Sequence, residues 1–339
     1  MTTTLQFVWY LLFVFFVYMY ALLDGYFLGV GILYPLLPRD KDERAAMRGS
    51  VGPTWDGNEV WLLGFGGALY GAFPVIYASV FSGLYVLVMI TIWAFILRAV
   101  SIEYRARDPK WAPLWDAGIF LGNVVPAFGF GMIVGNLIRG FELDPGGRFT
   151  GGLLSLLNGY ALLFGFLGVA LFTVHGAAWT MVKTEGALYE RARRTLVVAG
   201  AALAALIVAG TIWSAAAIRE SFDNTLARPA GWVAIAAIVA GFLLAQWAAR
   251  GRRDWTALIG SGLTIAGVIG IWAVGNYPNL VPAVNDPANS LTLAESSSSR
   301  YGLITLLVLT AMTVPVILFY QAWTHRVFKD KVHGQELHY

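Results

Sequence analysis

Long uninterrupted apolar segments are the feature of this sequence that most restricts its fold. A helix needs about 20 predominantly apolar residues to cross the hydrocarbon core of a bilayer. Nine segments of the 339-residue chain meet that length: residues 5–37, 55–77, 79–100, 115–138, 154–182, 195–218, 230–249, 255–275 and 302–323. Because lipid offers the backbone no hydrogen bonds, each segment is predicted to be a helix. The sequence therefore predicts an all-α polytopic membrane protein, with residues 1–339 forming a single integral-membrane domain.

The composition excludes several classes of protein and of site. The chain is 58% hydrophobic and 13% charged, whereas about a quarter of the residues in a soluble domain are charged. A soluble enzyme, a disordered protein and a nucleic-acid-binding protein are therefore excluded. The absence of Cys excludes disulfides, zinc ribbons, iron–sulfur clusters and thiol catalysis. Of the four histidines, His175 alone falls inside a predicted helix away from the tail, so we expect no metal and no catalytic residue in this chain.

The distribution of Lys and Arg predicts how the chain is oriented in the membrane. The segments after the first, third, fifth and seventh helices, together with the C-terminal tail, hold 18 of the 23 basic residues. Cytoplasmic loops carry an excess of Lys and Arg. We therefore predict that the N-terminus lies outside and that the tail lies in the cytoplasm. The excess alternates with helix number, which also favours nine helices.

Two further patterns predict local structure. Glycines spaced four residues apart allow helices to approach closely, and we interpret them as packing positions. They occur at Gly25–Gly29, Gly67–Gly71, Gly118–Gly122 and Gly131–Gly135. The longest segment outside the helices, residues 276–300, contains Asn, Pro and four consecutive Ser residues. That composition is typical of a flexible, exposed connector.

Asp24 is the only charged residue in the first apolar segment. An ionisable group inside a membrane-spanning helix is costly unless it is paired or hydrated, which makes it a candidate functional residue. Two interpretations remain open. Asp24 either bonds to a neighbouring helix and stabilises packing, or it carries protons along a polar pathway.

Asp56 and Glu59 lie at the start of the second helix, immediately before another apolar run. One interpretation is ordinary helix-start chemistry, in which Thr54 is the N-cap and the acids interact with the helix dipole. The other is that two carboxylates at the mouth of a helix bundle collect protons from the cytoplasm. The sequence does not decide between these two interpretations.

Arg98, at the end of the third helix, and Asp116, at the start of the fourth, are predicted to lie near the same membrane face. Taken alone, Arg98 is typical of an anchoring residue whose head reaches the membrane interface. Taken together, the acids and Arg98 are concentrated in the cytoplasmic half of the first four helices. A positive partner such as Arg98 would keep one of these acids ionised.

Several motifs along the chain are long and unusual. The first two are Asp24-Gly25 followed by Gly29-Val30-Gly31, and Trp55-Asp56-Gly57-Asn58-Glu59-Val60-Trp61. Others are residues 66–69, 72–74, 98–100, 103–105, 115–118, 277–282, 288–292 and 315–318. With these motifs the sequence resembles subunit II of the cytochrome bd-type quinol oxidases from end to end, and residues 140–270 match mainly by helix pattern.

The resemblance implies a nine-helix subunit in the bacterial cytoplasmic membrane, paired with a similarly folded subunit I. It implies two haems b and one haem d in subunit I, oxidation of quinol, and reduction of dioxygen to water with protons drawn from the cytoplasm. It places Asp56 and Asp24 on carboxylates of the proton-uptake side, and extends this role less directly to Glu59, Arg98 and Asp116. Some members hold a structural quinone or a small accessory subunit, for which this sequence has no diagnostic residue.

Two rival classes of function remain at this stage. A proton-coupled secondary transporter also places acids inside a helix bundle, but such folds often contain inverted repeats and helices broken at the midplane. No repeat is visible in this chain, and its acids are concentrated towards one face. A purely structural membrane scaffold is the third class, and it predicts that Asp24 and Asp56 are dispensable for turnover.

Overall fold

The computed structural model describes residues 3–332, and most of these are helical. The helices are α1 (Thr4–Leu33), α2 (Lys41–Val51), α3 (Trp55–Ala72), α4 (Pro74–Gly83), α5 (Tyr85–Arg107), α6 (Ala112–Arg139), α7 (Leu153–Leu156), α8 (Gly159–Lys183), α9 (Gly186–Ala217), α10 (Arg219–Ala227), α11 (Pro229–Arg250), α12 (Asp254–Asn276), α13 (Leu293–Ser296) and α14 (Arg300–Val327). Strands β1 (Asn279–Val281) and β2 (Leu291–Thr292) form one antiparallel pair.

Eight helices of the described chain are long and apolar enough to cross a membrane: α1, α5, α6, α8, α9, α11, α12 and α14. The bent pair α3 and α4 gives a ninth if it is counted as one span. The predicted all-α, polytopic fold is confirmed. The orientation of the chain in the membrane stays a prediction.

The prediction of one continuous helix over residues 55–77 is wrong at its C-terminal end. α3 stops at Ala72, and α4 leaves it at an angle of 120°. Pro74 explains the break, because the residue before a proline is disfavoured in the helical conformation. Phe73 accordingly has φ −134° and ψ 61°. The next spanning helix, α5, occupies residues 85–107 rather than the predicted 79–100.

Other boundaries also differ from the predicted ones. α1 ends at Leu33, before Pro35 and Pro38, and not at residue 37. α8 starts at Gly159 because the short helix α7 is separate from it. α9 starts at Gly186, nine residues before the apolar run begins. That first part of α9 is polar, so hydropathy alone does not detect it.

α1 is the central helix of one half of the bundle and packs against α3, α6 and α8. Its residues 24–33 are all buried. Gly29 permits the contact with α8, because a Cβ placed on it would lie 2.7 Å from the Cα of Gly176. The glycine pairs on α1 and α6 therefore do lie at helix contacts. Gly67 does not, since no atom of the described residues lies within 4 Å of a Cβ built there.

The segments predicted to be cytoplasmic meet at one end of the bundle. α2 forms ion pairs with α6, through Arg44 and Asp116 at 3.3 Å, and with α9, through Glu43 and Arg191. Glu190 near the start of α9 pairs with Arg252 in the α11–α12 connection at 2.7 Å. Lys331 of the tail pairs with Asp254 of α12 at 3.9 Å. This arrangement agrees with the alternation of basic loops in the sequence.

The segment 276–300 is not an exposed connector, and that expectation was wrong. It contains β1, β2 and α13, and Leu280, Val281 and Leu293 are buried within it. Gln6 at the start of α1 donates a hydrogen bond to the carbonyl of Ala294. The segment is therefore packed over the end of the bundle where α1 begins.

Candidate functional site

Arg98 lies at the centre of a charge cluster formed by α1, α3 and α5. Its Nη1 donates to both carboxylate oxygens of Asp24, at 3.2 and 2.9 Å. Its Nη2 donates to Oε1 of Glu59 at 2.7 Å. These three residues, called the charge cluster below, are far apart in sequence and are brought together by the packing of the three helices.

The surroundings of Arg98 hold its guanidinium in place. The rings of Phe27 and Phe95 lie 4.4 and 4.7 Å from its Cζ, within the range of cation–π contacts. Gly122 on α6 lets that helix approach closely, because a Cβ placed there would lie 2.7 Å from the backbone nitrogen of Arg98. Tyr20 donates its hydroxyl to Oδ2 of Asp24 at 2.8 Å.

Burial differs sharply among the three charged groups. The side chains of Asp24 and Arg98 are 0% exposed, whereas that of Glu59 is 32% exposed. Buried charges are tolerated only when they are paired and hydrogen-bonded. Two carboxylates share one guanidinium here, so the cluster carries a net charge of −1 when both acids are ionised. Binding of one proton makes it neutral, which is chemistry that suits a proton-accepting site.

The hydroxyl of Thr54 does not cap α3, contrary to the helix-start interpretation. Thr54 occupies the N-cap position without a side-chain bond to the first turn. Its hydroxyl accepts a hydrogen bond from Tyr26 at 2.9 Å and donates to the carbonyl of Val51. The N-terminus of α3 is therefore connected to α1, and Asp56 and Glu59 are not part of a capping arrangement with Thr54.

Asp56 lies on an exposed face of α3 together with Glu59. The face continues with Leu63 and Tyr70, whose exposed fractions are 74% and 66%, and with Gly67. These positions follow a spacing of three or four residues, so they form one stripe along the helix. We call it the α3 stripe. It leads from Asp56, past the exposed side of the charge cluster, to an apolar surface.

Asp116 lies apart from the charge cluster. Its carboxylate pairs with Arg44 of α2 at 3.3 Å and with Arg105 of α5. The structure thus brings together three of the five predicted site residues, places Asp56 on the adjoining surface, and places Asp116 in a second group of charges.

The residues that surround the cluster were not predicted from the sequence. Tyr20, Phe27 and Phe95 carry no signal, since aromatic residues in an apolar run are ordinary. Asn58 did carry a signal, as a polar residue in an unusual motif. It is fully buried and donates to the carbonyl of Leu23 at 2.8 Å and to the hydroxyl of Tyr26 at 3.0 Å.

His175 is buried, and both of its ring nitrogens are engaged. Nε2 donates to the carbonyl of Leu22 at 2.9 Å, and Nδ1 lies 2.7 Å from the hydroxyl of Ser261. These contacts are typical of a packing histidine. Residues 3–332 contain no group of three or more His, Asp or Glu side chains arranged to hold a metal ion. His333 and His338 of the tail lie outside the described residues.

Comparison with known proteins agrees with this architecture. The model of the cytochrome bd terminal oxidase subunit II family matches residues 5–328. The chain is 32% identical to cytochrome bd-I ubiquinol oxidase subunit 2 of Escherichia coli, over 95% of this chain and 93% of that protein. It is 30% identical to cytochrome bd ubiquinol oxidase subunit 2 of Bacillus subtilis, over 93% of each.

A solved structure, the bd oxidase from Geobacillus thermodenitrificans, shares the fold. The TM-score is 0.80 at 17% identity, over 96% of this chain and 99% of the matched chain. At that identity the likeness concerns the fold alone, and membership rests on the family model and the relatives above. The chain therefore belongs to the cytochrome bd terminal oxidase subunit II family, and it is a multi-pass protein of the bacterial inner membrane and one subunit, paired with a subunit I, of a quinol:oxygen oxidoreductase.

Proposed function

We propose that this chain supports the assembly of subunit I and supplies carboxylates for proton uptake from the cytoplasm. In this proposal the two haems b and the haem d are held by subunit I, which carries out quinol oxidation and the reduction of dioxygen to water. The residues of this chain move protons towards that reaction. The observation that carries the proposal is the charge cluster, in which two carboxylates share one buried guanidinium.

Within the charge cluster, Glu59 is the residue that accepts the proton. Asp24 receives two contacts from Arg98 and one from Tyr20, so its charge is well compensated. Glu59 receives one contact from Arg98 and is one-third exposed. A proton arriving from the aqueous side therefore reaches Glu59 before Asp24, and its uptake removes the uncompensated negative charge of the cluster.

Asp56 is the entry point in this proposal, and Asp24 and Arg98 fix the position of Glu59. Asp56 is exposed and precedes Glu59 by about one helical turn. Arg98 is permanently charged, so it holds the local field constant while Glu59 gains and loses its proton. Asp116 remains a weaker candidate for the pathway, because both of its partners are arginines of neighbouring helices.

The α3 stripe faces subunit I in this proposal. A proton leaving Glu59 must pass to the haem-bearing partner, and Glu59 is exposed on the stripe that also carries Leu63 and Tyr70. No atom of residues 3–332 lies within 4 Å of a Cβ built on Gly67 in the same stripe, which offers room for a closely packed helix. The stripe thus combines a surface for assembly with the exit of the proton path.

The test compares Glu59→Gln with Glu103→Gln in the purified two-subunit complex. Glu103 is a matched control because it is half-exposed, lies near the same end of the bundle and pairs with Arg107 one turn away. We expect Glu59→Gln to retain the haem spectrum and to lose most of its oxygen consumption, while Glu103→Gln remains close to the unchanged protein. Asp56→Asn is expected to lower turnover in the same way.

Two results would contradict the proposal. One is full oxygen consumption by an assembled Glu59→Gln complex, which would remove this residue from the pathway. The other is loss of haem from Glu59→Gln, which would assign the cluster to assembly alone. Isolation of a colourless chain without subunit I would favour the alternative, a proton-coupled secondary transporter.

A further inference from the structure

A cavity of about 220 Å³ opens at the end of the bundle where α1 begins, opposite the end that holds the basic segments. It lies between the last residue of α6, the first turn of α8 and the last turn of α9. Arg139, Tyr160, Trp213 and Ile218 are among the residues that line it. The charge cluster and the α3 stripe do not contribute to it.

Arg139 is the only charged residue among the described residues that line this cavity. It is half-buried, and its guanidinium donates one long hydrogen bond, 3.4 Å, to the carbonyl of Ser155. Within residues 3–332 no carboxylate lies at ion-pair distance from it. A guanidinium has five N–H donors, so most of those of Arg139 are available to a ligand. The cavity therefore favours an anion with several acceptor oxygens, such as a phosphate.

The first turn of α8 adds further donors to the same cavity. Gly159 and Tyr160 begin this helix and line the cavity. The first amides of a helix have no acceptor within the helix. Asn158 caps the amide of Ala161, whereas the amides of Gly159 and Tyr160 have no acceptor among residues 3–332. These amide donors and the positive charge of Arg139 therefore belong to the lining of the same cavity.

The rim of the cavity is apolar and continues onto the outer surface of two helices. Trp213 is 41% exposed, and its ring packs edge-on against that of Tyr160 with centroids 6.0 Å apart. On the outer surfaces of the same two helices, Ile212 of α9 and Phe166 of α8 are 64% and 59% exposed. Tryptophan and tyrosine at the end of membrane helices are typical of the level of lipid headgroups. A ligand with a phosphate and hydrocarbon chains matches both parts of this surface.

We propose that the cavity binds the phosphate headgroup of an anionic phospholipid, with its acyl chains along α8 and α9. Its volume is sufficient for a phosphate and the adjoining glycerol, since a water molecule takes up about 30 Å³ of liquid. Arg139 holds the phosphate, the amides at the start of α8 bind its oxygens, and Trp213 covers the glycerol. This lipid stabilises the join between α6, α8 and α9.

Native mass spectrometry of the purified oxidase complex tests the proposal by counting phospholipids that survive detergent washing. We expect Arg139→Gln to retain one phospholipid fewer than the unchanged complex. Arg148→Gln is the matched control, because Arg148 lies on the same end of the bundle, is exposed and does not line the cavity. Ala217→Phe fills the cavity from its exposed rim without removing charge, and it is expected to lose the same lipid even if Arg139→Gln does not assemble.

After both complexes have been delipidated, added phosphatidylglycerol is expected to bind again in the unchanged complex, with a mass increase of one phospholipid. No such increase is expected in Ala217→Phe. Equal lipid numbers in the unchanged protein, Arg139→Gln and Ala217→Phe would overturn the proposal. So would binding of inorganic phosphate with no binding of phosphatidylglycerol, because the site would then take a free anion. A retained molecule that lacks phosphorus, such as a quinone, and is lost from Ala217→Phe would also refute it. None of these outcomes depends on oxygen consumption, so the proton-uptake proposal is tested separately.

Discussion

Replacement of Arg98 by Met should prevent normal assembly of the complex, and the reason is electrostatic. Methionine retains much of the length and apolar volume of the arginine side chain but removes its charge. Asp24 is then left in a fully buried site, and within residues 3–332 Tyr20 is the side chain that still donates a hydrogen bond to it. Glu59 loses its partner as well, but one-third of its side chain is open to solvent or to a partner subunit.

The magnitude follows from the burial of the pair. Removing one partner of a buried ion pair costs about 3–5 kcal/mol, because the other charge stays buried without compensation. Loss of the contacts between the guanidinium and the rings of Phe27 and Phe95 adds about 1–2 kcal/mol. Since about 1.4 kcal/mol is a factor of ten in an equilibrium constant, the population of folded subunit should fall by more than about a hundredfold.

A double variant separates charge from packing. In Asp24→Asn with Arg98→Met, no buried charge is left without a partner, and the Asn oxygen still accepts the hydrogen bond from Tyr20. The assay is haem content per purified complex, together with the midpoint temperature of haem loss at one scan rate, since membrane complexes unfold irreversibly. We expect Arg98→Met to yield little haem-containing complex and the double variant to recover most of it. Turnover should stay low in both, because Glu59 has lost its guanidinium.

Two outcomes would refute this reasoning. If the double variant assembles as poorly as Arg98→Met, the packing of the arginine side chain, and not the uncompensated carboxylate, determines stability. If Arg98→Met assembles as well as the unchanged protein, then Asp24 carries no buried charge in the folded complex. In that case the charge cluster is not the proton-accepting site proposed above.

Three further predictions concern the residues around the cluster and the helix contacts. Tyr20→Phe should lower the midpoint temperature of haem loss, since a hydrogen bond to the charged Asp24 contributes about 1.5–3 kcal/mol; an unchanged midpoint would contradict the contact. Gly176→Leu should abolish haem-containing complex because α1 and α8 touch through their backbones there, whereas Gly152→Leu, at a position with open space, should have little effect. Asp116→Asn should lower stability by about 1.5–3 kcal/mol, because its mostly buried carboxylate accepts hydrogen bonds from two arginines, and leave oxygen consumption intact; loss of turnover at full haem content would instead place Asp116 on the proton pathway.

The helices themselves were largely predictable, and the failures have local causes. The run from residue 74 to residue 97 contains no charged residue, so hydropathy does not locate the boundary between α4 and α5. Pro74 was the available signal for the break at Phe73. The polar start of α9 was invisible because the search was for apolar residues only. In segment 276–300, the buried Leu280, Val281 and Leu293 lie in short apolar stretches between polar residues, and their burial depends on the bundle beneath them.

The candidate site was predictable as a set of residues but not as an arrangement. Asp24 and Arg98 stood out because ionisable groups are rare in apolar helices. Arg98 was expected to reach the membrane interface or to pair with an acid, and in the structure it pairs with Asp24 and Glu59. Asp56, three residues before Glu59, is exposed and lies outside this arrangement. Nothing in the local sequence distinguishes the environments of these two acids.

The sequence alone was enough to establish membrane insertion, the all-α class, the family resemblance and the short set of acids worth testing. Each of these depends on properties that are local in the chain: a backbone in lipid must bond within its own helix, and a charge in an apolar run is conspicuous wherever the helix lies. The burial of Asp24 against Arg98 and the exposure of Asp56 depend on contacts between residues up to 74 positions apart. Such contacts follow from how helices pack, through positions such as Gly29 and Gly122, and helix packing is a property of the whole bundle.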